Sequence, residues 1–288
     1  MANRRVLVKR RKAATNIRKI TRTMQLIATA RFQAAHNRVL AGKPYTRKLA
    51  ELVGNLSRAA RGLDHPLMAQ PEGVERSALL VLTSDRGLCG GYNANVLARV
   101  VDHIEAASGE VDVHMVGKKG VNFFRFRDRE VAEQIGGISD APRFEEVEPV
   151  ANRLMQAFVD GEIASLDVAH MRFHSAGRQE PVIERILPLT PPVADDEGES
   201  RREVLYEFSP SPEEILDELL PATVRVRLYQ AFLDAAASEQ VARMVAMKAA
   251  TDAAGDMIKR LTRQYNRARQ TQITMELLDI VGGANALA

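Results

Sequence analysis

Residues 244–275 read MVAMKAATDAAGDMIKRLTRQYNRARQTQITM and decide the fold of this chain of 288 residues. Apolar or small residues recur here at alternating steps of three and four, which is the pattern of a coiled-coil helix. The seam positions are Met244, Met247, Thr251, Ala254, Ile258, Leu261, Tyr265, Ala268, Gln272 and Met275. Because several of them are small or polar, the seam predicts close packing against a second helix. The helix is expected to stop near Gly282.

The second helix is predicted at the other end of the chain. There is no proline between Val6 and Pro44, and Gly42 and Pro44 together predict a kink. The predicted apolar stripe consists of Ile17, Ile20, Met24, Ile27 and Ala34. Neither terminal helix carries enough apolar surface to fold alone. We therefore expect a long antiparallel coiled coil of the N- and C-terminal helices.

The middle of the chain has a different pattern. Ser77–Thr83 is a short apolar run typical of a buried strand, and 111–116 is a second strand candidate. Strands and helices then alternate, which predicts a small inserted α/β domain of Rossmann-like type. The fold class is thus α+α/β. The predicted domains are residues 1–62 (N-terminal coiled-coil helix), 74–208 (inserted α/β domain) and 211–288 (C-terminal coiled-coil helix), with a proline-rich, acidic linker over 188–202.

Composition and charge limit the classes of function. Hydrophobic residues make up 45% and charged residues 27%, which is globular composition. A single cysteine excludes an intramolecular disulfide framework and a cysteine-built zinc site. Residues 1–61 contain 16 Lys or Arg against one acid, Glu51. This asymmetry indicates either an acidic partner, nucleic acid or anionic surface, or a solvated helix face.

The turn Ser84–Asn93, SDRGLCGGYN, follows the first strand and is rich in glycine. Phosphates bind at such strand-to-helix turns in nucleotide folds, but these glycines fit neither G-x-G-x-x-G nor a P-loop. The pattern favours a tight turn that serves packing or a partner contact. Cys89 within it is a candidate nucleophile, because a helix N-terminus and Arg86 lower the pKa of a thiol. A small, semi-buried structural residue is the commoner role for such a cysteine.

The two histidines His170 and His174 have a spacing that can bind metal on a helix, but they lie in a predicted strand and lack a third ligand. Neither a Ser-His-Asp arrangement nor a pair of catalytic carboxylates stands out. The sequence therefore predicts no catalytic residue, no metal site and no cofactor site.

Three motifs carry a family resemblance: NIRKITRTMQLIA at 16–28, TSDRGLCGGYN at 83–93 and YNRARQTQITMELLDIVGGA at 265–284. They resemble the gamma subunit of F-type ATP synthases, and the match covers nearly the whole chain in the right order. The resemblance implies a central-stalk rotor. In the family, the coiled coil enters the hexamer of alpha and beta subunits, while the α/β domain holds epsilon and rests on the membrane c-ring. The catalytic nucleotide sites lie on alpha/beta interfaces, so no cofactor is expected in this chain.

The resemblance also implies partner-binding positions. Met24 matches a position facing the acidic lever loop of beta. Arg269 and Gln270 match a pair that meets a catch loop of beta, while Thr274 and Glu276 match positions coupled to Met24 in energy transmission.

Four further residues complete the prediction of partner contacts. Arg18 and Arg22, together with Lys19, are expected to run past acidic beta levers, where charge attracts without a fixed register. Cys89 is assigned to partner contact as part of the signature turn. A thiol switch of the chloroplast type needs two cysteines and is excluded by the single one here.

Two other functional classes are alternatives to the rotor. A coiled-coil nucleic-acid-binding or scaffold protein with an α/β insert explains the basic helix but not the turn motif. A nucleotide-binding enzyme using the turn 84–93 predicts ATP binding by this chain alone. The rotor interpretation predicts a peripheral location on the cytoplasmic face of the inner membrane, or on the matrix side in a eukaryote.

Overall fold

The computed structural model describes residues 4–59, 65–69, 71, 73–190 and 211–287. The helices are α1 Arg4–Ala59, α2 Tyr92–Ala106, α3 Lys118–Phe126, α4 Phe144–Val159 and α5 Pro212–Leu287. The strands are β1 Ser77–Leu82, β2 Val111–Val116, β3 Glu133–Ile135, β4 Ser165–Ser175 and β5 Arg178–Leu187. The chain divides into two units, Met1–Ala30 with Arg243–Ala288 (the helix pair) and Arg31–Ala242 (the sheet unit). The predicted linker beyond residue 190 lies outside the described residues.

The sheet unit contains a five-stranded mixed sheet in the order β3-β2-β1-β4-β5. The first four strands are parallel, and β5 pairs with β4 in the antiparallel sense. The central strand β1 is the apolar run SALLVL, and five of its six residues are buried. An apolar run without alternation suits this place, because a central parallel strand is covered on both faces. The predicted α/β domain is confirmed in class.

Two apolar cores cover the two faces of the sheet. One joins Leu80 and Leu82 of β1 to Phe158 of α4 and to the first part of α5. The other joins Leu79 of β1 to helices α2 and α3, with Phe124 at its centre. Alternate residues of β1 therefore belong to opposite cores, as the pleat of a strand requires.

The helix pair confirms the antiparallel pairing predicted for the two terminal helices. Arg11 of α1 lies over the ring of Tyr265, with 5.3 Å from its guanidinium carbon to the ring centroid. Further along α1, the hydroxyl of Thr21 meets that of Thr251. Positions therefore rise along α1 as they fall along α5. The predicted α5 seam is buried or half-buried from Met244 to Ala268, whereas Gln272 and Met275 are exposed.

The predicted α1 stripe is wrong. Ile17, Ile20 and Ile27 are 53%, 59% and 50% exposed, and Met24 alone of the predicted set within the helix pair is half-buried. The buried residues of α1 in this unit are Leu7, Ala14, Thr21 and Ala28. They recur every seven residues, and small side chains let the two helix backbones come close. Ile17, Ile20 and Ile27 lie outside this seam and face outward.

The predicted end of α5 near Gly282 is also wrong, whereas the kink predicted at Gly42 and Pro44 stays a prediction. Helix α1 continues through Pro44, and α5 continues past Gly282 to Leu287. Proline removes one backbone donor and glycine is a weak helix former, but neither terminates a helix outright when the neighbouring turns hold.

Candidate functional site

The turn between β1 and α2 is closed by its own side chains. Ser84 N–H donates to Oδ1 of Asn93 (3.0 Å), and Nδ2 of Asn93 lies 2.8 Å from Oγ of Ser84 and 3.3 Å from Sγ of Cys89. The side chain of Cys89 is buried, with only 2% of the residue exposed. A direct contact of Cys89 with a partner is therefore not available in this conformation. Its contribution is to the shape of the turn.

The neighbouring Leu88 faces outward in this turn, whereas the partner contact is predicted for Cys89. Leu88 has a φ of +64° and is 59% exposed. A left-handed backbone is unfavourable for leucine and is held here by the surrounding turn. Arg86, two residues earlier, has a side chain that is 67% exposed and lies 3.2 Å from Asp140. The sequence alone does not show which of Leu88 and Cys89 faces outward.

The N-terminus of α3, beside this turn, has its first amides occupied. Lys118 N–H donates to Asp85 (3.0 Å), Lys119 N–H to the carbonyl of Ser84 (3.0 Å) and Gly120 N–H to the hydroxyl of Thr83 (3.0 Å). Amides at this place hold phosphate in nucleotide-binding folds. Here they are bonded to the residues that follow β1.

Helix α5 covers the carboxyl ends of the parallel strands. A cavity of about 80 Å³ remains there, lined by Thr83 and Gly117 after β1 and β2 and by Phe232 and Ala236 of α5. Ser238 of α5 donates to the carbonyl of Met171 in β4 (3.1 Å). Open α/β sheets bind their ligands outside these strand ends. In this chain much of that space is filled by its own C-terminal helix.

The two histidines of β4 lie beside separate carboxylates. Nε2 of His170 lies 3.4 Å from Glu184, and Nε2 of His174 lies 3.2 Å from Glu180. The pKa of Glu184 is lowered to about 2, chiefly by its contact with His170 and also by Arg172, although burial acts in the opposite direction. Within the described ranges, no group of three or more His, Cys, Asp or Glu side chains could hold a metal ion.

The predicted partner residues of α1 lie on the helix pair. Arg18 and Arg22 are exposed, and Met24 is half-buried at the edge of the seam. Arg22 donates to Gln25 (3.0 Å) on the same helix. The guanidinium of Arg18 instead crosses to α5 and lies over Gly255. Exposed isoleucines alternate with these basic side chains, so this face is both apolar and positively charged.

The predicted partner residues of α5 lie beyond the paired seam. Arg269, Gln270, Thr274 and Glu276 are all exposed. Every residue from 269 to 282 is exposed, on all sides of the helix. Its large apolar members, which are between 47% and 69% exposed, are Ile273, Met275, Leu277, Leu278, Ile280 and Val281. A contiguous apolar surface of this kind marks an interaction site.

Sequence reasoning missed the outward isoleucines of α1. Ile17, Ile20 and Ile27 follow coiled-coil steps, so they were assigned to the seam. The signal that locates the true seam is the exact seven-residue recurrence of Leu7, Ala14, Thr21 and Ala28. That recurrence is visible in the sequence but contains only one large apolar residue.

Comparison with known proteins identifies the broad class of protein to which this chain belongs. A family model described as ATP synthase matches residues 3–287. Among the described residues, no helix combines the length and the apolar character needed to cross a membrane. The chain therefore falls in a class of ATP synthase subunits.

The particular family follows from the relatives. An ATP synthase gamma chain of Rhodopirellula baltica is 45% identical, covering 100% of this chain and 99% of its own length. One of Frankia casuarinae is 43% identical, over 97% of this chain and 96% of its own length. The chain belongs to the ATP synthase gamma chain family.

Solved structures agree with the fold. A Euglena gracilis mitochondrial ATP synthase complex (OSCP/F1/c-ring) contains a chain with a TM-score of 0.67 and 17% identity, over 99% of this chain and 94% of that chain. A chain of the rotor from the same organism gives a TM-score of 0.64 at 17% identity, over 94% and 98%. At this identity the likeness concerns the fold.

Proposed function

We propose that this chain is the central-stalk rotor subunit of a proton-translocating F-type ATP synthase. It couples rotation of the membrane c-ring to the conformational cycle of the catalytic beta subunits. The observation that carries the proposal is the apolar surface over residues 269–282, which is exposed on all sides of α5. Such a segment gains free energy when a partner surrounds it, and the catalytic hexamer of the family offers a central channel of that kind.

The chain itself carries no catalytic role in this proposal. Nucleotide chemistry takes place on the alpha and beta subunits, and this chain transmits force. The occupied amides of α3 and the placement of α5 over the strand ends support this assignment. The chain binds no cofactor.

The N-terminal face of the helix pair is proposed to move past acidic loops of beta. Arg18, Lys19 and Arg22 supply positive charge, and Ile17 and Ile20 supply apolar contact without a deep pocket. Charge attraction over several ångströms has no fixed register, so it suits a surface that meets three partners in turn. Met24, at the edge of the seam, faces the same loops.

The C-terminal contacts are proposed to involve Arg269 and Gln270 with a catch loop of beta. Thr274 and Glu276 are proposed to couple with Met24 in energy transmission. Within α5, the hydroxyl of Thr274 donates to the carbonyl of Gln270 (3.0 Å), and Glu276 accepts from Gln272 (2.8 Å). In the signature turn we assign the direct contact to Leu88 and Arg86, with Cys89 supporting the turn from within.

The remaining partners are proposed for the sheet unit. It holds epsilon and rests on the c-ring, which places the chain peripherally on the cytoplasmic face of the inner membrane, or on the matrix side in a eukaryote. The functional domains are proposed as residues 1–62, 74–208 and 211–288.

The test is reconstitution with the alpha and beta subunits of the same organism. We expect a stable complex with cooperative ATPase activity that mixtures lacking this chain do not give. Arg269→Ala with Gln270→Ala should lower that activity about tenfold, which corresponds to about 1.4 kcal/mol of lost contact. The matched control is Arg263→Ala, an exposed arginine of the same helix within the paired region.

Two outcomes would contradict the proposal. One is a free chain that does not associate with alpha and beta. The other is a loss of activity in Arg263→Ala as large as that in the double variant. Salt-dependent binding of the free chain to DNA would favour the nucleic-acid alternative instead.

A further inference from the structure

Two threonines join the helices of the helix pair through their hydroxyl groups. Thr21 and Thr251 are 9% and 8% exposed, and their oxygens are 2.8 Å apart. Thr251 also lies 2.8 Å from the carbonyl of Met247, and Thr21 lies 3.2 Å from the carbonyl of Arg18. Each hydroxyl has one proton, so one threonine donates to the other, which in turn donates to a carbonyl of its own helix. Both donors are thus satisfied within the helix pair. A polar pair in an otherwise apolar seam fixes how the two helices face each other.

Arg18 and Gly255 lie one turn away from this pair. Because the helices are antiparallel, Arg18, three residues before Thr21, comes opposite Gly255, four residues after Thr251. A Cβ at Gly255 would stand 3.7 Å from Nε and 3.8 Å from Cζ of Arg18. The guanidinium of Arg18 therefore lies next to Gly255, at ordinary contact distance from where a side chain would begin. A side chain larger than a methyl group at residue 255 would occupy that space.

Glycine at this position calls for a physical reason. It lies inside a long helix, where glycine is less favourable than alanine, and its φ is not in the left-handed region. Backbone geometry therefore does not require it. The space above it is used by Arg18.

We propose that Thr21, Thr251 and Gly255 are positioning residues for Arg18. The threonine pair sets the facing of the two helices, and the glycine provides the surface on which the guanidinium rests. Arg18 is thereby fixed across α5 before any partner arrives, so less side-chain freedom is lost when it meets an acidic loop. The identity of that partner rests on the proposed function, whereas the seating of Arg18 is a property of the free chain.

The seating is tested first in the free, full-length chain. The Nε–H resonance of Arg18 is identified by its loss in Arg18→Gln. We expect it to move in Gly255→Leu and in the double variant Thr21→Val/Thr251→Val, which keeps the side-chain volume but removes the hydroxyls. Thr21→Ser/Thr251→Ser retains the hydroxyls and should restore the original resonance position. An unchanged resonance in both Gly255→Leu and the valine variant would overturn the proposal.

The functional role is tested by a double-mutant cycle in the complex with alpha and beta. At low ionic strength we expect Arg18→Gln and Gly255→Leu each to lower ATPase activity about threefold, and the combination to lower it no further. Leucine favours helix more than glycine does, so a folding defect is not the expected cause. The control is Ala253→Leu, which adds the same side chain at an exposed position of α5.

Losses that multiply to about ninefold in the combined variant would show that residues 18 and 255 act independently and would overturn the positioning role. An Arg18→Gln complex with full activity would overturn that role as well. In that case assembly and cooperative ATPase would still stand as separate support for the rotor function.

Discussion

The sheet unit and the helix pair differ in the size of the side chains that they bury. The sheet unit encloses large residues such as Phe124, Phe158 and Leu80, each 2% exposed or less. The helix pair encloses several alanines and threonines beside a few larger residues such as Leu7 and Leu261, and leaves the isoleucines of α1 outside. The first arrangement stabilises a fold by its own core. The second keeps apolar surface available for other subunits, so the largest apolar residues of a helix need not mark its core.

The sharpest way to test this comparison is to truncate one large apolar residue in each unit. We expect Phe158→Ala to lower the free energy of unfolding by about 3–5 kcal/mol, because it leaves a cavity in a closed core. Ile20→Ala should change it by no more than about 0.5 kcal/mol, because the side chain is 59% exposed. Urea denaturation of the full chain measures both, and comparable losses would refute the contrast.

Replacing a glycine by alanine should destabilise the sheet unit but stabilise the helix pair. Gly117 has a φ of +92°, and a Cβ there would stand 2.2 Å from the carbonyl oxygen of Thr83. Gly117→Ala should therefore destabilise the chain by about 2–3 kcal/mol. Gly255→Ala places its methyl group at ordinary contact distance and should stabilise α5 by about 0.5–1 kcal/mol. Thermal unfolding of the two variants decides this, and a shift in the same direction for both would count against it.

Acid should weaken the sheet unit through Glu184. The pKa of this carboxyl is about 2 in the folded chain and about 4.3 when unfolded, so the unfolded state takes up the proton first as pH falls. Its stabilisation, about 2 kcal/mol after allowance for solvent screening, is complete above about pH 5 and lost as pH falls to about 2. Glu184→Gln should flatten stability against pH in that window. Glu180→Gln, an exposed carboxylate of the same strand, serves as the control, and an equal flattening there would contradict the assignment.

The smallest expected effect concerns the end of the helix pair. Arg11 lies over the ring of Tyr265, and Arg11→Gln removes this cation–π contact. We expect a loss of about 0.5–1 kcal/mol in the local stability of the paired helices, whereas Lys12→Gln, at an exposed position, should leave it unchanged. Hydrogen exchange of amides near residues 11 and 265 measures the difference. Faster exchange of these amides in Lys12→Gln but not in Arg11→Gln would contradict the prediction.

Structure could be predicted from the sequence wherever a local pattern fits only one kind of element. The run 77–82 predicted β1, because an apolar segment of that length between turn residues suits a buried strand. The α5 seam followed from its spacing as far as Ala268. On α1, spacing and hydropathy predicted Ile17 and Ile20 for the seam, whereas the structure buries Ala14 and Thr21 there. Only the close approach of the partner helix decides between them.

The site residues were predictable to different degrees. Motif resemblance indicated Met24 and Arg269, and positive charge indicated Arg18. The structure places Arg18 and Met24 on the helix pair and Arg269 on the exposed end of α5. The support that Gly255 gives to Arg18 joins residues more than 200 positions apart, so no local pattern contains it. That Leu88 rather than Cys89 faces outward in the turn was likewise not predictable from the sequence.

The placement of α5 over the strand ends has a thermodynamic consequence. A ligand stabilises a protein only to the extent that it binds the native state, and the gain follows its concentration by mass action. In this chain the strand-end crevice is largely filled from within by residues such as Phe232 and Ser238, and the first amides of α3 are already bonded. We expect the melting temperature of the free chain to be the same with and without ATP. A rotor built in this way would keep its stability unchanged while the nucleotide pool around it rises and falls.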